Sequence, residues 1–400
     1  MIDHTAANLP KDGPLDMPQP TTEEQSQSEL LCNYIQQQME QAGGRLSFDR
    51  FMELCLYAPG LGYYVAGARK FGAEGDFVTA PEISSLFSRC LARQSAQVMQ
   101  EIGAGELLEF GAGTGTMAAD ILAELEQLDC LPSSYLILEL SPDLKSRQQE
   151  TLRRKVPHLA HLVHWLDQMP GSRFKGVVLA NEVLDAMPVQ RFRIESGEVL
   201  EQYVAWQDGR FISIWDSPTS SGLLQAVAEL GVELADGFES ELNLRANSWV
   251  AALGEIVDRG AVILIDYGYP MTEYYHPQRS EGTLMCHYRH RAHPEPLLLP
   301  GLQDITAHVD FSAVADAGLK AGFEIGGFTT QTFFLMGCGL DSMLAESDPN
   351  DVDRHMQLAQ QVRRLTLPNE MGERFKVLAM TRKLEQPLMG FAMRDQRERL

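Results

Sequence analysis

The chain has 400 residues, of which 44% are hydrophobic, so it can bury a large core and is expected to form one or two domains. Its formal net charge of -22 argues against DNA or an anionic membrane surface as a partner, because phosphate binding relies on clusters of Lys and Arg. An acidic surface would suit a cationic substrate, although solubility alone also explains it.

The cysteines and the N-terminal segment bear on the compartment. Six cysteines are scattered without a Cys-x-x-Cys pair, which fits a reducing environment better than a disulfide framework or a zinc site. Residues 1–27 are polar and acidic, and they lack the patterns of a secretory signal and of a transit peptide. No apolar run approaches the roughly 20 residues that span a bilayer. We therefore expect a cytoplasmic protein with a disordered tail over residues 1–27 and no membrane insertion.

The first structured part is predicted to be helical. Apolar spacing indicates helices over residues 28–40 and 46–55, followed by a loop rich in glycine and aromatic residues. The block 75–84, Gly-Asp-Phe-Val-Thr-Ala-Pro-Glu-Ile-Ser, then leads into a helix that ends near residue 102. We assign residues 28–103 to an N-terminal helical region.

The most informative stretch is residues 107–115, Leu-Leu-Glu-Phe-Gly-Ala-Gly-Thr-Gly, which precedes a helical pattern. A buried strand, a tight turn and a helix start are predicted, and such a turn at a strand's carboxyl end binds nucleotide-like ligands. The spacing is not G-x-G-x-x-G, because Thr116 stands in place of the third glycine. Glu109 would repel a pyrophosphate but could hold an ammonium group, directly or through water. The motif, with Gly111 and Gly113, therefore favours S-adenosylmethionine (SAM) over NAD, and a turn without a ligand is the remaining alternative.

Strands and helices then alternate as βαβ units require. Glu139 ends the next predicted strand, where a carboxylate can accept hydrogen bonds from both ribose hydroxyls. Asp167 follows the third strand, where an adenine amino group would need an acceptor. The alternative for Glu139 is a solvated acid at a strand end, and for Asp167 the two interpretations are balanced.

Residues 181–188, Asn-Glu-Val-Leu-Asp-Ala-Met-Pro, follow the fourth strand, at the point that would face the methyl group of bound SAM. Paired carboxylates can hold a guanidinium group in a bidentate manner, and Glu182 and Asp185 would share one face of a helical turn. With Asn181 they are the candidate catalytic residues. Alternatively, Asp185 caps a helix and Glu182 is a surface residue.

The remaining elements predict the fold. Alternating strands and two helices form an antiparallel and helical insertion over residues 189–258, and a buried strand and a polar loop at 268–305 come next. A helix then precedes a strand pair at 323–329 and 331–336, and helices and a charged tail follow over 341–400. The fold class is α/β: a Rossmann-like, doubly wound sheet of the class I methyltransferase type over 104–340, with a terminal antiparallel hairpin and a helical N-terminal extension.

Two histidine triplets raise the possibility of a metal site. One is His158, His161 and His164, and the other is His287, His290 and His293. Neither triplet comes with a cysteine or an acidic cluster, so we expect no metal. No nucleophile motif stands out either.

Six blocks in this order resemble the MidA family of SAM-dependent methyltransferases. They are residues 75–84, 109–115, 181–189, 265–268 (Ile-Asp-Tyr-Gly), 304–311 (Asp-Ile-Thr-Ala-His-Val-Asp-Phe) and 369–378 (Asn-Glu-Met-Gly-Glu-Arg-Phe-Lys-Val-Leu). The mitochondrial members of this family are complex I assembly factors that methylate an arginine of a complex I subunit. Leu184 and Pro294 depart from the family pattern, which puts the shape of the acceptor pocket in doubt.

The resemblance implies roles for individual residues. SAM would be bound by Glu109, Gly111, Gly113 and Glu139, with Asp76, Thr79 and Glu82 in a block that closes over its methionine end. The acceptor would be a nitrogen, most simply a protein arginine, in a respiratory or another complex subunit. Two alternatives stay open: a SAM-binding assembly factor without essential turnover, and a small-molecule methyltransferase.

Overall fold

The computed structural model describes residues 17–66, 78–171, 173–346 and 351–400. The chain divides into two units, each made of three segments. The antiparallel unit comprises the described residues of Met1–Phe77, Asp185–Arg245 and Met271–His308, and the parallel-sheet unit comprises those of Val78–Leu184, Ala246–Pro270 and Val309–Leu400. The predicted catalytic segment thus crosses from one unit to the other between Leu184 and Asp185.

The helices of the described residues are α1 (Thr22–Gln41), α2 (Phe48–Tyr57), α3 (Ala80–Ile83), α4 (Ser85–Ile102), α5 (Thr116–Gln127), α6 (Pro142–Lys155), α7 (Ser221–Glu229), α8 (Leu244–Ile256), α9 (Met271–Tyr274), α10 (Phe311–Lys320), α11 (Gln331–Gly337), α12 (Leu340–Ala345) and α13 (Val352–Thr366). Their strands are β1 (Arg45–Ser47), β2 (Glu106–Phe110), β3 (Tyr135–Leu138), β4 (Val163–Leu166), β5 (Phe174–Asn181), β6 (Gln190–Glu195), β7 (Glu198–Gln207), β8 (Arg210–Asp216), β9 (Glu239–Leu242), β10 (Val257–Tyr269), β11 (Met285–Tyr288), β12 (Arg291–His293), β13 (Asp304–Thr306), β14 (Val309–Asp310), β15 (Glu324–Thr330) and β16 (Phe375–Arg382). No helix in the described ranges is both long and apolar enough to cross a membrane.

The parallel-sheet unit is built on one sheet with the strand order β4-β3-β2-β5-β10-β16-β15. The first five strands are parallel, and β16 runs antiparallel to both of its neighbours. Apolar runs in the central strands are buried on both faces, as in β10, where residues 261–265 are at most 2% exposed. The predicted α/β class is confirmed. Antiparallel strands do lie at one end of the sheet, but β15 and β16 are far apart in the sequence and do not form the predicted hairpin.

Parallel strands place their following turns along one edge of the sheet. Three such turns follow β2, β3 and β5, which are hydrogen-bonded neighbours in the order β3-β2-β5. The glycine turn (residues 111–115) follows β2, the β3 turn (139–141) follows β3, and the β5 turn (181–184) overlaps the end of β5. The site residues predicted after these strands therefore lie along this edge.

Among its described residues, the antiparallel unit has two sheets. One has the order β1-β7-β6-β9, with β8 beside β7, and the other has the order β12-β11-β13. A buried ion pair crosses the first sheet, where Arg191 Nε donates to Glu241 Oε1 over 3.3 Å. Glu241 also accepts the Thr283 N–H over 2.8 Å, so its buried charge is compensated within the unit.

Several element predictions were wrong. Residues 331–336 form helix α11, and the antiparallel partner of β15 is β16, from a region predicted to be helical. The buried residues of α11 are Gln331, Phe334 and Leu335, and this spacing by three and four is helical. The segment 268–305, predicted as a loop, contains α9 and β11 to β13, and α1 begins at Thr22 rather than at residue 28.

Candidate functional site

The glycine turn owes its shape to three glycines with positive φ. The φ angles are 66° at Gly111, 51° at Gly113 and 80° at Gly115. A Cβ on Gly111 would lie 2.8 Å from Val183 Cγ2, and one on Gly115 would lie 2.9 Å from the Cα of Gln148. Glycine is therefore needed both for the left-handed backbone and for the close approach of neighbouring elements.

Glu109, two residues before Gly111, has no exposed surface in β2. Its Oε2 accepts a hydrogen bond from the Tyr135 hydroxyl at 2.6 Å, and its Oε1 has no partner among the described residues. Burial raises the pKa of Glu109 to about 7; the Tyr135 hydrogen bond lowers this pKa and the charge of Glu139 raises it further. A ligand that brings a positive charge to Oε1 would compensate this carboxylate.

Glu139 begins the β3 turn and is linked to the glycine turn by one glutamine. Its Oε1 accepts the Ser141 N–H at 2.8 Å, and its Oε2 accepts Gln148 Nε2 at 2.9 Å. Gln148 Nε2 also donates to the Gly113 carbonyl at 3.1 Å, while its Oε1 accepts Trp165 Nε1 at 2.8 Å. Burial raises the pKa of Glu139 above its usual value, and the hydrogen bonds from Ser141 and Gln148 offset only part of that rise. The two turns are thus held in one network.

The block 75–84, which is predicted to close over the ligand, is described only from residue 78 onward. Asp76 therefore lies outside the described residues. Thr79 is the N-cap residue of α3 and is half-buried. Glu82 Oε1 accepts the Thr114 hydroxyl at 2.6 Å. Of the block's predicted polar residues, Glu82 therefore contacts the glycine turn.

Asp167 has a side chain that is 88% exposed and lies 3.7 Å from Lys145 Nζ. It lines an open depression of about 380 Å³ formed by residues 165–171. The carboxylate of Asp167 would therefore contact a ligand at the rim of this depression. In this position Asp167 is more exposed than Glu109 and Glu139, whose carboxylates are largely enclosed.

In the β5 turn, Asn181 and Glu182 are joined to each other. Asn181 Nδ2 donates to Glu182 Oε1 at 3.1 Å, and Asn181 Oδ1 is buried without a partner in the described part of the chain. Glu182 has a φ of 54°, a conformation that costs a non-glycine residue about 1–2 kcal/mol. Such strain at a carboxylate is a frequent mark of a functional position.

Asp185 belongs to the antiparallel unit and is 5% exposed. Its carbonyl accepts the Ala307 N–H at 3.0 Å, within the Asp-Ile-Thr-Ala-His-Val-Asp-Phe block. In the same unit the hydroxyl of Tyr57 donates to the Ala186 carbonyl at 3.0 Å. The segment after Leu184 is thus anchored at two successive residues.

Sequence reasoning missed the supporting residues Tyr135, Gln148 and Thr114, because hydrogen bonds between residues that are distant in the sequence leave no local pattern. Leu140 was also missed, although a signal existed: a large apolar residue follows an acid at a strand end. It is 67% exposed in the β3 turn, beside Glu139. An apolar surface there suits the flat face of a ring.

The histidine triplets show no metal geometry. Among the described residues, no group of three or more His, Cys, Asp or Glu could hold a metal ion. His158 Nε2 instead lies 3.0 Å from Glu126 Oε2, and His293 is buried, which lowers its pKa.

Comparison with known proteins covers most of the chain. A family model of S-adenosyl-L-methionine-dependent methyltransferases matches residues 90–329. The chain is 30% identical over 379 residues to the protein arginine methyltransferase NDUFAF7, mitochondrial, of Danio rerio, covering 85% of this chain and 84% of that protein. It is 28% identical to the Drosophila melanogaster homologue, covering 94% and 90% of the two chains.

A solved structure from Burkholderia thailandensis, bound to S-adenosyl-homocysteine, is 44% identical with a TM-score of 0.92. The match covers 96% of this chain and all of that one. S-adenosyl-homocysteine is what SAM becomes when it loses its methyl group.

The expectation of a cytoplasmic protein is contradicted by these comparisons. The curated relatives from Drosophila melanogaster, Danio rerio and Homo sapiens are all named as mitochondrial. Scattered cysteines fit any reducing compartment, and the charge pattern of a terminal segment does not identify which one. The inference from composition to the cytoplasm was therefore wrong.

Proposed function

The chain belongs to the family of S-adenosyl-L-methionine-dependent methyltransferases, and from this premise we propose that its methyl acceptor is an arginine side chain of a protein. It is accordingly a methyltransferase with SAM as its cofactor. The observation that carries the proposal is the β5 turn, in which the acidic residue Glu182 has a strained, left-handed backbone. The next residue, Val183, packs against Gly111 of the glycine turn. Relatives named as protein arginine methyltransferases support the choice of acceptor.

In this proposal the cofactor lies along the glycine and β3 turns. The residues assigned to it are Asp76, Thr79, Glu82, Glu109, Gly111, Gly113, Glu139, Leu140 and Asp167. The partnerless Oε1 of Glu109 suits the ammonium group of SAM, and the glycines leave room for the cofactor to approach the backbone. Glu139 can still accept from ribose hydroxyls, because a carboxylate has about four acceptor positions. Leu140 offers an apolar surface to the adenine.

SAM supplies an electrophilic methyl group on a sulfonium, so the protein's task is to present a nitrogen in line with it. The pKa of an arginine exceeds 12, so the guanidinium must lose a proton as the new bond forms. Glu182 and Asp185 would localise the positive charge on one nitrogen and accept that proton. Asn181 would fix the orientation of Glu182 through the hydrogen bond between them.

The test incubates the chain and tritiated SAM with an extract of source cells that lack its gene. We expect label in a polypeptide, recovered as methylarginine after acid hydrolysis. Label in a small molecule alone, or in another amino acid, would contradict the proposed acceptor.

A second arm asks whether turnover matters. Glu182→Ala and Asp185→Ala should bind SAM normally but fail to restore cellular function. If both variants restore it without transferring label, the chain acts as an assembly factor that only binds SAM. Glu198→Gln, an exposed carboxylate at the start of β7, is the matched control and should behave as wild type.

A further inference from the structure

The site residues described so far do not account for the Ile-Asp-Tyr-Gly block at residues 265–268, in the second half of β10. Asp266 is 1% exposed, which is unusual for a carboxylate inside a sheet. Gly268 is required by packing, because a Cβ there would collide with the Val309 carbonyl of β14. A buried carboxylate needs hydrogen-bond partners, and two of those of Asp266 lie in the β5 turn and in its own strand.

Both oxygens of Asp266 accept backbone hydrogen bonds. Oδ2 accepts the Leu184 N–H at 3.0 Å, and Oδ1 accepts the Tyr267 N–H at 2.9 Å. Hydrogen bonds from an amide to a carboxylate are stronger than those between neutral groups. Asp266 therefore ties the far end of the β5 turn to β10.

The near end of the same turn is tied to the preceding residue of β10. The N–H of Glu182 donates to the Ile265 carbonyl at 2.9 Å, next to the register pair of Asn181 and Ile265. Glu182, which donates this bond, has the left-handed conformation, and Leu184 donates the second bond two residues later. Val183, between the two anchors, packs against Gly111.

We propose that Asp266 is a positioning residue for methyl transfer: it fixes Leu184 and thereby holds Glu182 in the left-handed conformation that presents its carboxylate to the acceptor. The inference rests on the proposed function, in which Glu182 contacts the acceptor. Asp266 touches the turn through a main-chain amide, so its removal should affect the rate of transfer more than the binding of cofactor.

Asp266→Asn tests this with the full chain. An amide of the same shape leaves only one acceptor oxygen for two N–H donors. We expect amide exchange of residues 182–184, followed by mass spectrometry in the absence of SAM, to accelerate at least 10-fold. S-adenosyl-homocysteine should bind with the same stoichiometry and within 3-fold of the wild-type Kd. The initial rate of tritium transfer into extract protein should fall at least 10-fold.

Asp258→Asn is the matched control, since Asp258 lies in the same strand and pairs with Lys383 at 2.6 Å. It should leave both exchange and transfer unchanged. If Asp266→Asn does not bind S-adenosyl-homocysteine stoichiometrically, Asp266→Ser, which keeps one acceptor, takes its place with the same expectations.

Wild-type exchange at residues 182–184 in the variant would overturn the proposal, and so would faster exchange with an unchanged transfer rate. If the wild-type chain labels no arginine, the proposed acceptor fails, while the exchange data still decide whether Asp266 holds the turn. The two failures are thus distinguishable.

Discussion

The glycine turn and the β5 turn follow neighbouring parallel strands, paired at Phe110 and Ala180, yet they reach positive φ by opposite means. In the glycine turn the left-handed residues are glycines, for which this conformation costs little. In the β5 turn the left-handed residue is Glu182, whose own N–H is bonded to Ile265 and whose turn is tied to Asp266 through the N–H of Leu184. The comparison teaches that a surface for binding can be made by leaving side chains out, whereas presenting a reactive side chain requires the fold to stabilise an unfavourable backbone.

The largest expected effect sharpens this division of roles. Glu182→Gln keeps the size of the side chain but removes its charge, so it can neither localise charge on a guanidinium nor accept its proton. We expect the methyl-transfer rate to fall about 10²-fold or more, with the Kd for SAM within about 3-fold of wild type. Tritium transfer and calorimetry measure the two quantities. A normal rate would show that the β5 turn does not act on the acceptor.

The next prediction tests the contact between the two turns. Gly111→Ala places a Cβ against Val183 in a left-handed backbone, whereas Gly113→Ala meets nothing within 4 Å. We expect the Gly111 variant to lose about 2–3 kcal/mol of unfolding free energy, and the Gly113 variant about 1 kcal/mol. Denaturant unfolding measures both values. Adding Val183→Ala should recover part of the difference, and equal losses in the two single variants would refute the contact.

The two turns were not equally predictable from sequence. Residues 111–115 were identified because glycine is the residue type that a left-handed turn selects, so the backbone is encoded locally. In the β5 turn the sequence indicated the carboxylates as site candidates but gave no sign that Glu182 is left-handed. That conformation depends on hydrogen bonds to a strand more than 80 positions later, and no local pattern reports them.

The same reasoning explains the missed strand. The α/β class followed from the alternation of strands and helices along the chain. The position of β16, between β10 and β15, is instead set by hydrogen bonds to strands that are distant in the sequence. Its partner β15 was predicted, while the adjoining Thr-Phe-Phe-Leu stretch of α11 resembled a strand because Thr and Phe favour strands. The helical spacing of the buried residues in α11 can be recognised only once the structure shows which side chains lie in the core.

Glu109 offers a test in which binding and stability move in opposite directions. Its pKa is raised by burial to about 7, so folding favours the protonated form. The contribution of Glu109 to the unfolding free energy should therefore fall as pH rises from about 4.5 through 7, and remain lowered above that range. Glu109→Gln still accepts from Tyr135 but never ionises.

We expect Glu109→Gln to exceed wild type in unfolding free energy by about 1–3 kcal/mol at pH 8 and to differ little at pH 4.5. Its affinity for SAM should fall, since the ammonium loses its counter-charge. Denaturant unfolding at the two pH values checks the first expectation and calorimetry the second. If the variant is less stable than wild type at pH 8, the charged carboxylate of Glu109 stabilises the fold. Its burial beside the glycine turn would then not be explained by ligand binding alone.

The smallest expected effect extends the comparison to the β3 turn, where an exposed Leu140 stands beside the buried network of Glu139. Because Leu140 has little to lose on truncation in the free protein, Leu140→Ala should leave the unfolding free energy within about 0.5 kcal/mol of wild type. Bound adenine would cover the side chain, so the Kd for SAM should rise about 5-fold, the equivalent of roughly 1 kcal/mol of apolar burial. Leu128→Ala, also exposed but at the end of α5, is the matched control and should change neither quantity. If Leu140→Ala binds SAM as tightly as this control, the exposed leucine is not part of the cofactor surface, and adenine recognition must come from the depression around Asp167.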